Sequence, residues 1–440
     1  MAGGTFTSQN KIRPGAYINF KSVAKPTGKV GQRGITTIPL VLGWGSTDSL
    51  IDINSSDISD GKLLEKLGYY GDETEISMLK EALKNSYKCL LFRIDSNGQK
   101  ATATISPLNI VAKYPGKVGN RISIVIKELS NRKMEVKTLL DTKVLDTQIA
   151  TNAEDLVSNS WVDFSGTGKL VVNAGINLTE GSNGTENIDN YSKYLELIGN
   201  KIFNTMGIYT SNSTIKEKVT SFIRQLRGDK GKKVQAVIND YSEANYEGII
   251  SVDQGYKTQN EIVGVNGFVG YVAGLTAGAA VNKSNTYNVI PGAIGIINPK
   301  TDEEIKEGIT QGKFIISFRQ DESVVVETDI NTFTNFDMDK SRDFSKNRVI
   351  RTLDDINNSI KDTFERTYLG KVDNNENGRI SFKSDILSYL KELNKLGAID
   401  EVKTEDINIE KGQEIDSVIV NVGVKPIDAM EKLYMTVSVG

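Results

Sequence analysis

Leu433, Met435, Val437 and Val439 alternate with Tyr434, Thr436 and Ser438 at the end of the chain. Such a period of two predicts a half-buried strand. Near the other tip, Ala16, Ile18 and Phe20 alternate with Tyr17 and Asn19 just after Pro14-Gly15. A strand at a chain tip either closes the sheet of its own domain or pairs with a neighbouring chain, so both tips read as links between subunits.

Between the tips the period lengthens. Ile35 to Trp44 and Cys89 to Ile94 are apolar runs of strand length, and 72–88 carries Ile76, Leu79, Leu83 and Tyr87 on one helical stripe. Tyr194, Leu195, Ile198 and Ile202 predict a helix over 190–204. Ile215, Val219, Phe222, Ile223 and Leu226 predict another over 213–227, with Ser213 as its cap. Strands follow at 234–238 and 248–252, then a hairpin from 314–318 and 324–327. Apolar strands alternating with amphipathic helices predict an α/β core, a doubly covered and mostly parallel sheet built from 34–100 and 185–330.

Residues 101–184 have another texture. Short alternating runs at 122–126, 134–137 and 170–172 predict a β-rich insertion, with helix only at 152–160 and an exit linker at Glu180 to Thr185. The C-terminal region reads as α+β. Thr352 caps a helix striped by Leu353, Ile356, Ile360, Phe364 and Tyr368 and stopped by Gly370. Ile386, Leu387, Leu390, Leu393 and Leu396 stripe a second helix, stopped by Gly397. Val418, Val420, Val422 and Val424 alternate in a strand, and Pro426 breaks the chain before the last one. The expected division is an N-terminal arm (1–33), the α/β core (34–100 plus 185–335), an inserted β-rich domain (101–184), an α+β domain (336–425) and a C-terminal arm strand (426–440).

Composition narrows the chemistry. Hydrophobic residues at 38%, charged residues at 25% and a net charge of −3 describe an ordinary soluble protein without the basic footprint of a nucleic-acid partner. The chain has no histidine, which removes Ser-His-Asp and Cys-His catalysis and histidine metal sites. Its one cysteine, Cys89, sits in an apolar run and reads as a buried thiol. No apolar signal core follows Met1, so the expectation is a protein kept in a cytoplasm or released by lysis.

Several motifs invite sharper readings. Residues 262–282 lack charge and contain Gly270, Gly274 and Gly278 at a spacing of four, but Gly and Ala dominate. A buried helix packed on a sheet through its small face is favoured over a membrane span. Asp373 to Ile380 resembles a calcium loop, yet Ser384 stands where the bidentate glutamate belongs, so an Asn/Gly turn between helices is expected. Gly166-Thr167-Gly168-Lys169 lacks the following Ser/Thr of a phosphate loop and reads as a hairpin turn. Asp354-Asp355 and Glu303-Glu304 are placed near helix starts, and Lys230 to Lys233 in a solvated turn. No catalytic, cofactor-binding or metal-ligating residue is assigned.

Six segments carry a resemblance: Asn10 to Phe20, Val272 to Ala279, Asn282 to Tyr287, Glu327 to Thr332, Lys346 to Asp354 and Met430 to Tyr434. In them the chain resembles the contractile tail sheath proteins of phages, prophages and phage-tail-like bacteriocins, in particular the compact Gram-positive type. The likeness is least characteristic near 101–181. It implies a subtilisin-like body, here without that protease's triad, whose copies stack as hexameric rings around a tail tube and contract to drive the tube through a cell envelope. It implies terminal arms that join a sheet in neighbouring copies, here Ala16, Tyr17, Ile18 and Phe20 at one tip and Leu433, Tyr434, Met435, Val437 and Val439 at the other. The C-terminal domain would face the tube and the insertion would face outward. Further copies, a tail tube protein, and baseplate and tail terminator proteins are the implied partners, with no cofactor, no nucleic acid and no membrane insertion. The implied location is a virion tail or tail-like particle made in the host cytoplasm. Two readings compete: an enzyme on a doubly wound α/β fold with a carboxylate or lysine site at the strand ends, and another self-assembling tail or array protein.

Overall fold

Six strands build the central sheet: β1 (Ile35–Leu40), β2 (Leu50–Asn54), β3 (Lys88–Arg93), β4 (Thr205–Ile208), β5 (Gln235–Asn239) and β6 (Ile249–Val252). The computed structural model describes residues 2–4, 15–17, 33–59 and 61–439. Spatial order is β6-β5-β4-β1-β3-β2, parallel throughout except for β2, which runs antiparallel at one edge. A parallel sheet is covered on both faces, hence its continuous apolar runs. Helices α1 (Ser77–Leu83) and α4 (Val265–Gly278) lie in one core with Ile38, Leu91 and Val237; α2 (Ile188–Gly199) and α3 (Ser213–Gly228) lie in another with Phe92, Met206 and Ile238.

The uncharged segment is the buried helix α4, but its glycines face a helix rather than the sheet. A Cβ on Gly270, Gly274 or Gly278 would stand 2.0, 2.1 or 1.9 Å from the carbonyl oxygens of Met78, Ala82 and Asn85. Only glycine permits so close an approach of two backbones. Among the described residues no helix is long and apolar enough to cross a membrane.

Residues 96–185 leave this sheet after β3 and return before α2. Their strands form two small antiparallel sheets, one from 122–128, 134–140, 143–150 and 173–177, the other from 102–105, 108–112 and 162–165. The outgoing and returning chains pair at Ser96–Thr185 and Gln99–Ser182. Below this neck the fully buried Arg93 holds Asp95 through two hydrogen bonds of 2.8 and 2.7 Å, and Asp95 accepts from Leu42 N and Gly184 N.

Two compact units divide the chain. Among the described residues, one holds 33–59, 61–358, 396–400 and 425–439; the other holds 2–4, 15–17, 359–395 and 401–424. Helix α5 (Asn347–Thr363) continues as a π-helical turn, Phe364–Tyr368, and Gly370 follows at φ +68°. The second unit contains α6 (Glu376–Lys395) and an antiparallel pair, β7 (Ile407–Lys411) and β8 (Val418–Val422). It also contains the short strands Ala2–Gly4 and Gly15–Tyr17, paired in parallel.

Several expectations are corrected. Helix α1 ends at Leu83, because the chain must turn into β3; Tyr87 is left 39% exposed. Helix α2 ends at Gly199, so Ile202 is exposed and Phe203 enters the core instead. Asn212, not Ser213, caps α3, its side chain accepting from Thr214 N and Ile215 N. Helix at 152–160 reduces to one tight turn, Ala153–Asp155, and Val171 and Val172 are exposed outside any strand. Thr352 lies inside α5, where its hydroxyl donates to Arg348 O and Val281 O. Helix α6 begins at Glu376, so half of the supposed loop at 373–380 is its first turn. Asp354 is not near a helix start: it is buried and grips Arg227 at 2.6 and 2.8 Å. The Lys230 to Lys233 turn is anchored rather than solvated, since Asn357 and Asn358 bind the carbonyls of Gly231 and Lys233.

Candidate assembly interface

The segment following β8 is tied down and then released. Ile427 N donates to Ala398 O at 3.0 Å and Asp400 N to Lys425 O at 2.9 Å, a short antiparallel contact around Ile399 and Pro426. The strip 396–400 is itself held by Asn282, which donates to Leu396 O, and by Arg348, which donates to Gly397 O. The last anchor is Glu431. Its carboxylate accepts from the Thr286 hydroxyl at 2.7 Å and pairs with Lys346.

What receives Glu431 is a buried polar cluster. Thr286 Oγ1 also accepts from Asp329 N at 2.9 Å. The Asp329 carboxylate, 1% exposed, accepts from Asn285 N, Asn347 Nδ2 and Arg351 Nη2 at 2.9–3.0 Å. A buried carboxylate is tolerable only when paired and hydrogen-bonded this fully. Nearby Asp428 is raised above the ordinary carboxylate range, chiefly by burial, with Lys346, Arg348 and Glu431 around it.

Beyond Glu431 no hydrogen bond or ion pair holds the segment among the described residues. Leu433, Tyr434, Met435, Val437 and Val439 are 84, 89, 73, 69 and 93% exposed. The strand expected there forms no ladder among the described residues. Both edges of the central sheet are partly occupied by other parts of the chain. At β2, Lys66 Nζ donates to Asp52 O at 2.8 Å and to Asp57, while Asn54 N is taken by Asp57 Oδ2 at 2.8 Å. At β6, Phe314 N and Thr332 N fill Ser251 O and Ile249 O, both at 2.9 Å. At the other tip, Ala16 and Tyr17 lie in the strand Gly15–Tyr17; Ile18 and Phe20 are outside the described residues.

Doubly wound folds bind ligands at the carboxyl ends of their strands. Here that crevice holds Tyr209, Asn239, Asp240, Asp253, Lys300 and Lys313. Asp253 is ion-paired through one oxygen with Lys300 at 3.0 Å and Lys313 at 3.3 Å. Cys89 is buried and its thiol is pushed up to about 12 by that burial, which makes it inert. Among the described residues no group of three or more Cys, Asp or Glu could hold a metal ion.

Of the site residues read from the sequence, the C-terminal ones sit together on a free segment. The clamp at its root, Thr286, Lys346 and Glu431, was assigned no role there. Each of its members nevertheless lies in a segment that carries the resemblance.

Comparisons with known proteins point the same way. Residues 33–94 match the tail sheath protein Gp18 domain III N-terminal region, 96–183 the phage tail sheath protein beta-sandwich domain, 184–332 the phage tail sheath protein central domain and 339–440 the phage tail sheath C-terminal domain. The crystal structure of the sheath tail protein from Desulfitobacterium hafniense is 37% identical, with 96% of this chain and 99% of that one covered at a TM-score of 0.86. That of Listeria innocua is 31% identical, with 93% and 95% covered at a TM-score of 0.77. The uncharacterized protein YqbK of Bacillus subtilis is 33% identical over the whole of both chains.

Proposed function

Since this chain belongs to the phage tail sheath family, we propose that it is a structural subunit of a contractile tail sheath whose copies are joined by donated terminal strands. One observation carries the strand-donation reading. Leu433, Met435, Val437 and Val439 form an apolar face that is exposed in its own chain, while backbone groups on both edges of the central sheet are already taken by other parts of the chain. Leaving such a face in water costs roughly 25 cal/mol per Å², and an unpaired strand needs an edge. The acceptor proposed is the outer edge of β7 or β8, a pair with no further strand among the described residues. Beside it lies a cavity of about 630 Å³ lined by Phe364, Tyr368, Phe382, Ile415 and Val418. Each main-chain hydrogen bond contributes about 0.5–1.5 kcal/mol, and a strand link tolerates rotation of the bodies it joins.

The finer reading goes further. Hexameric rings surround a tail tube, with baseplate and tail terminator proteins at the ends, in a virion tail or tail-like particle. The α/β core (34–100 plus 185–335) has a subtilisin-like architecture and no catalytic role. The insertion (101–184) faces outward, the α+β domain (336–425) faces the tube, and 1–33 and 426–440 are the arms. Contraction is a switch between two packings of these bodies, driven by energy stored at assembly. The test is removal of residues 433–440. The truncated chain should stay folded and soluble but form no long tubes by negative-stain electron microscopy. Normal tubes would refute strand donation by the C-terminal arm.

A further inference from the structure

We propose that Glu431 is a positioning residue: its clamp by Thr286 and Lys346 fixes where, and in which direction, the C-terminal segment leaves the body to meet a second copy of this chain. The inference rests on the strand-donation reading above.

Contact with the body falls off sharply at this residue. Lys425–Ile427 are zipped to Ala398–Asp400, and the Glu431 side chain is 15% exposed, yet Leu433 is already 84% exposed. The receiving side is tied to the body, because Thr286 accepts from Asp329 N and Lys346 precedes Asn347 in the buried Asp329, Asn347 and Arg351 cluster. An anchor on a mobile loop would aim nothing. This one couples the root of the segment to the body through a carboxylate with one hydroxyl and one ammonium partner.

Geometry states what the clamp changes. Extended at about 3.3 Å per residue, 432–439 reaches about 26 Å from Glu431. With the clamp open, the free length begins after Ile427 and grows by about 13 Å. Length alone lowers the effective concentration of the tip at a fixed edge about twofold. Loss of direction lowers it further, since an aimed strand meets its acceptor in register.

The experiment uses the full chain. Glu431→Gln, Lys346→Met and Thr286→Val are compared with wild type for monomer melting, for hydrogen exchange over 425–432, and for tube growth by light scattering and negative-stain microscopy. Unchanged melting for Glu431→Gln and Lys346→Met, a lower melting temperature for Thr286→Val (which also removes the acceptor of Asp329 N), and for all three faster exchange and tube growth at least about fivefold slower are expected. Thr286→Ser, and the charge swap Glu431→Lys with Lys346→Glu, should restore growth. Wild-type growth despite faster exchange overturns the proposal, as does exchange that does not change. A fall in melting temperature that Thr286→Ser does not reverse also overturns it, because the role would then be structural. The chain lacking 433–440 separates the two ideas. If it forms normal tubes, the strand-donation reading fails and takes this inference with it. If it forms none while the clamp variants grow normally, only the clamp fails.

Discussion

Gly274 and Gly228 illustrate how different two helical glycines can be. A Cβ at Gly274 would lie 2.1 Å from Ala82 O, whereas nothing lies within 4 Å of one at Gly228, the last residue of α3. Gly274→Val should therefore lower stability by about 3 kcal/mol, since backbone has to move. Gly228→Ala should raise it by about 0.5–1 kcal/mol through chain entropy. Urea unfolding of the two variants checks both signs. The spacing of Gly270, Gly274 and Gly278 was legible in the sequence as a close-packing stripe, but the partner was not: the carbonyls of Met78 and Ala82 are far away in the chain. The same limit hid the pair of Arg227 and Asp354, which are 127 residues apart. Asp354 beside Asp355 looks like a helix-dipole residue until the fold supplies an arginine. The Glu431 clamp was hidden for the same reason, its lysine lying 85 residues away.

Edges and ends govern the elements. The antiparallel edge strand β2 is guarded by Lys66 and Asp57, which occupy Asp52 O and Asn54 N. In a chain lacking 433–440, so that donated C-terminal strands do not intervene, Asp57→Ala with Lys66→Ala should expose that edge. The expected outcome is self-association that grows with protein concentration in light scattering, with the far-ultraviolet circular dichroism unchanged. Monomers at every concentration would show that the edge needs no guard. Strands with long apolar runs, β1 and β3, and the striped helices α2 and α3 were legible because they bury one continuous face. Strands β2 and β4 escaped notice: Leu50–Asn54 carries two polar residues, and Thr205–Ile208 is four residues with a glycine. Helix ends were misplaced at Tyr87 and Ile202, where the apolar stripe runs on but the chain has to turn into the next strand.

Taken whole, the molecule has an unusual titration profile. It has no histidine, and burial pushes the Cys89 thiol up to about 12, so stability should be flat from about pH 5 to 8. On the acid side the sign is set by carboxylates held below their ordinary values. Burial of Asp57 and Asp95 acts upward but is outweighed by Lys66 and Arg93, and Lys80 holds Glu261 down. A depressed folded-state value stabilises the fold above the unfolded value, and the stability is lost as pH falls through the folded one. Asp428, raised mainly by burial, works in the opposite sense. Denaturant midpoints should therefore coincide at pH 8 and 6 and fall at pH 3; a slope between pH 8 and 6 would contradict this. The neck at Ser96–Thr185 and Gln99–Ser182 has a further consequence. Because departure and return are neighbours, closing the ring costs the central unit little, and doubling the ring's length adds only about 0.6 kcal/mol. That makes the outer turns of the insertion, and not its base, the place to splice in foreign cargo, because Trp44 stacks on Trp161 at 4.9 Å and Arg121 pairs with Glu73 at 3.0 Å just above the sheet.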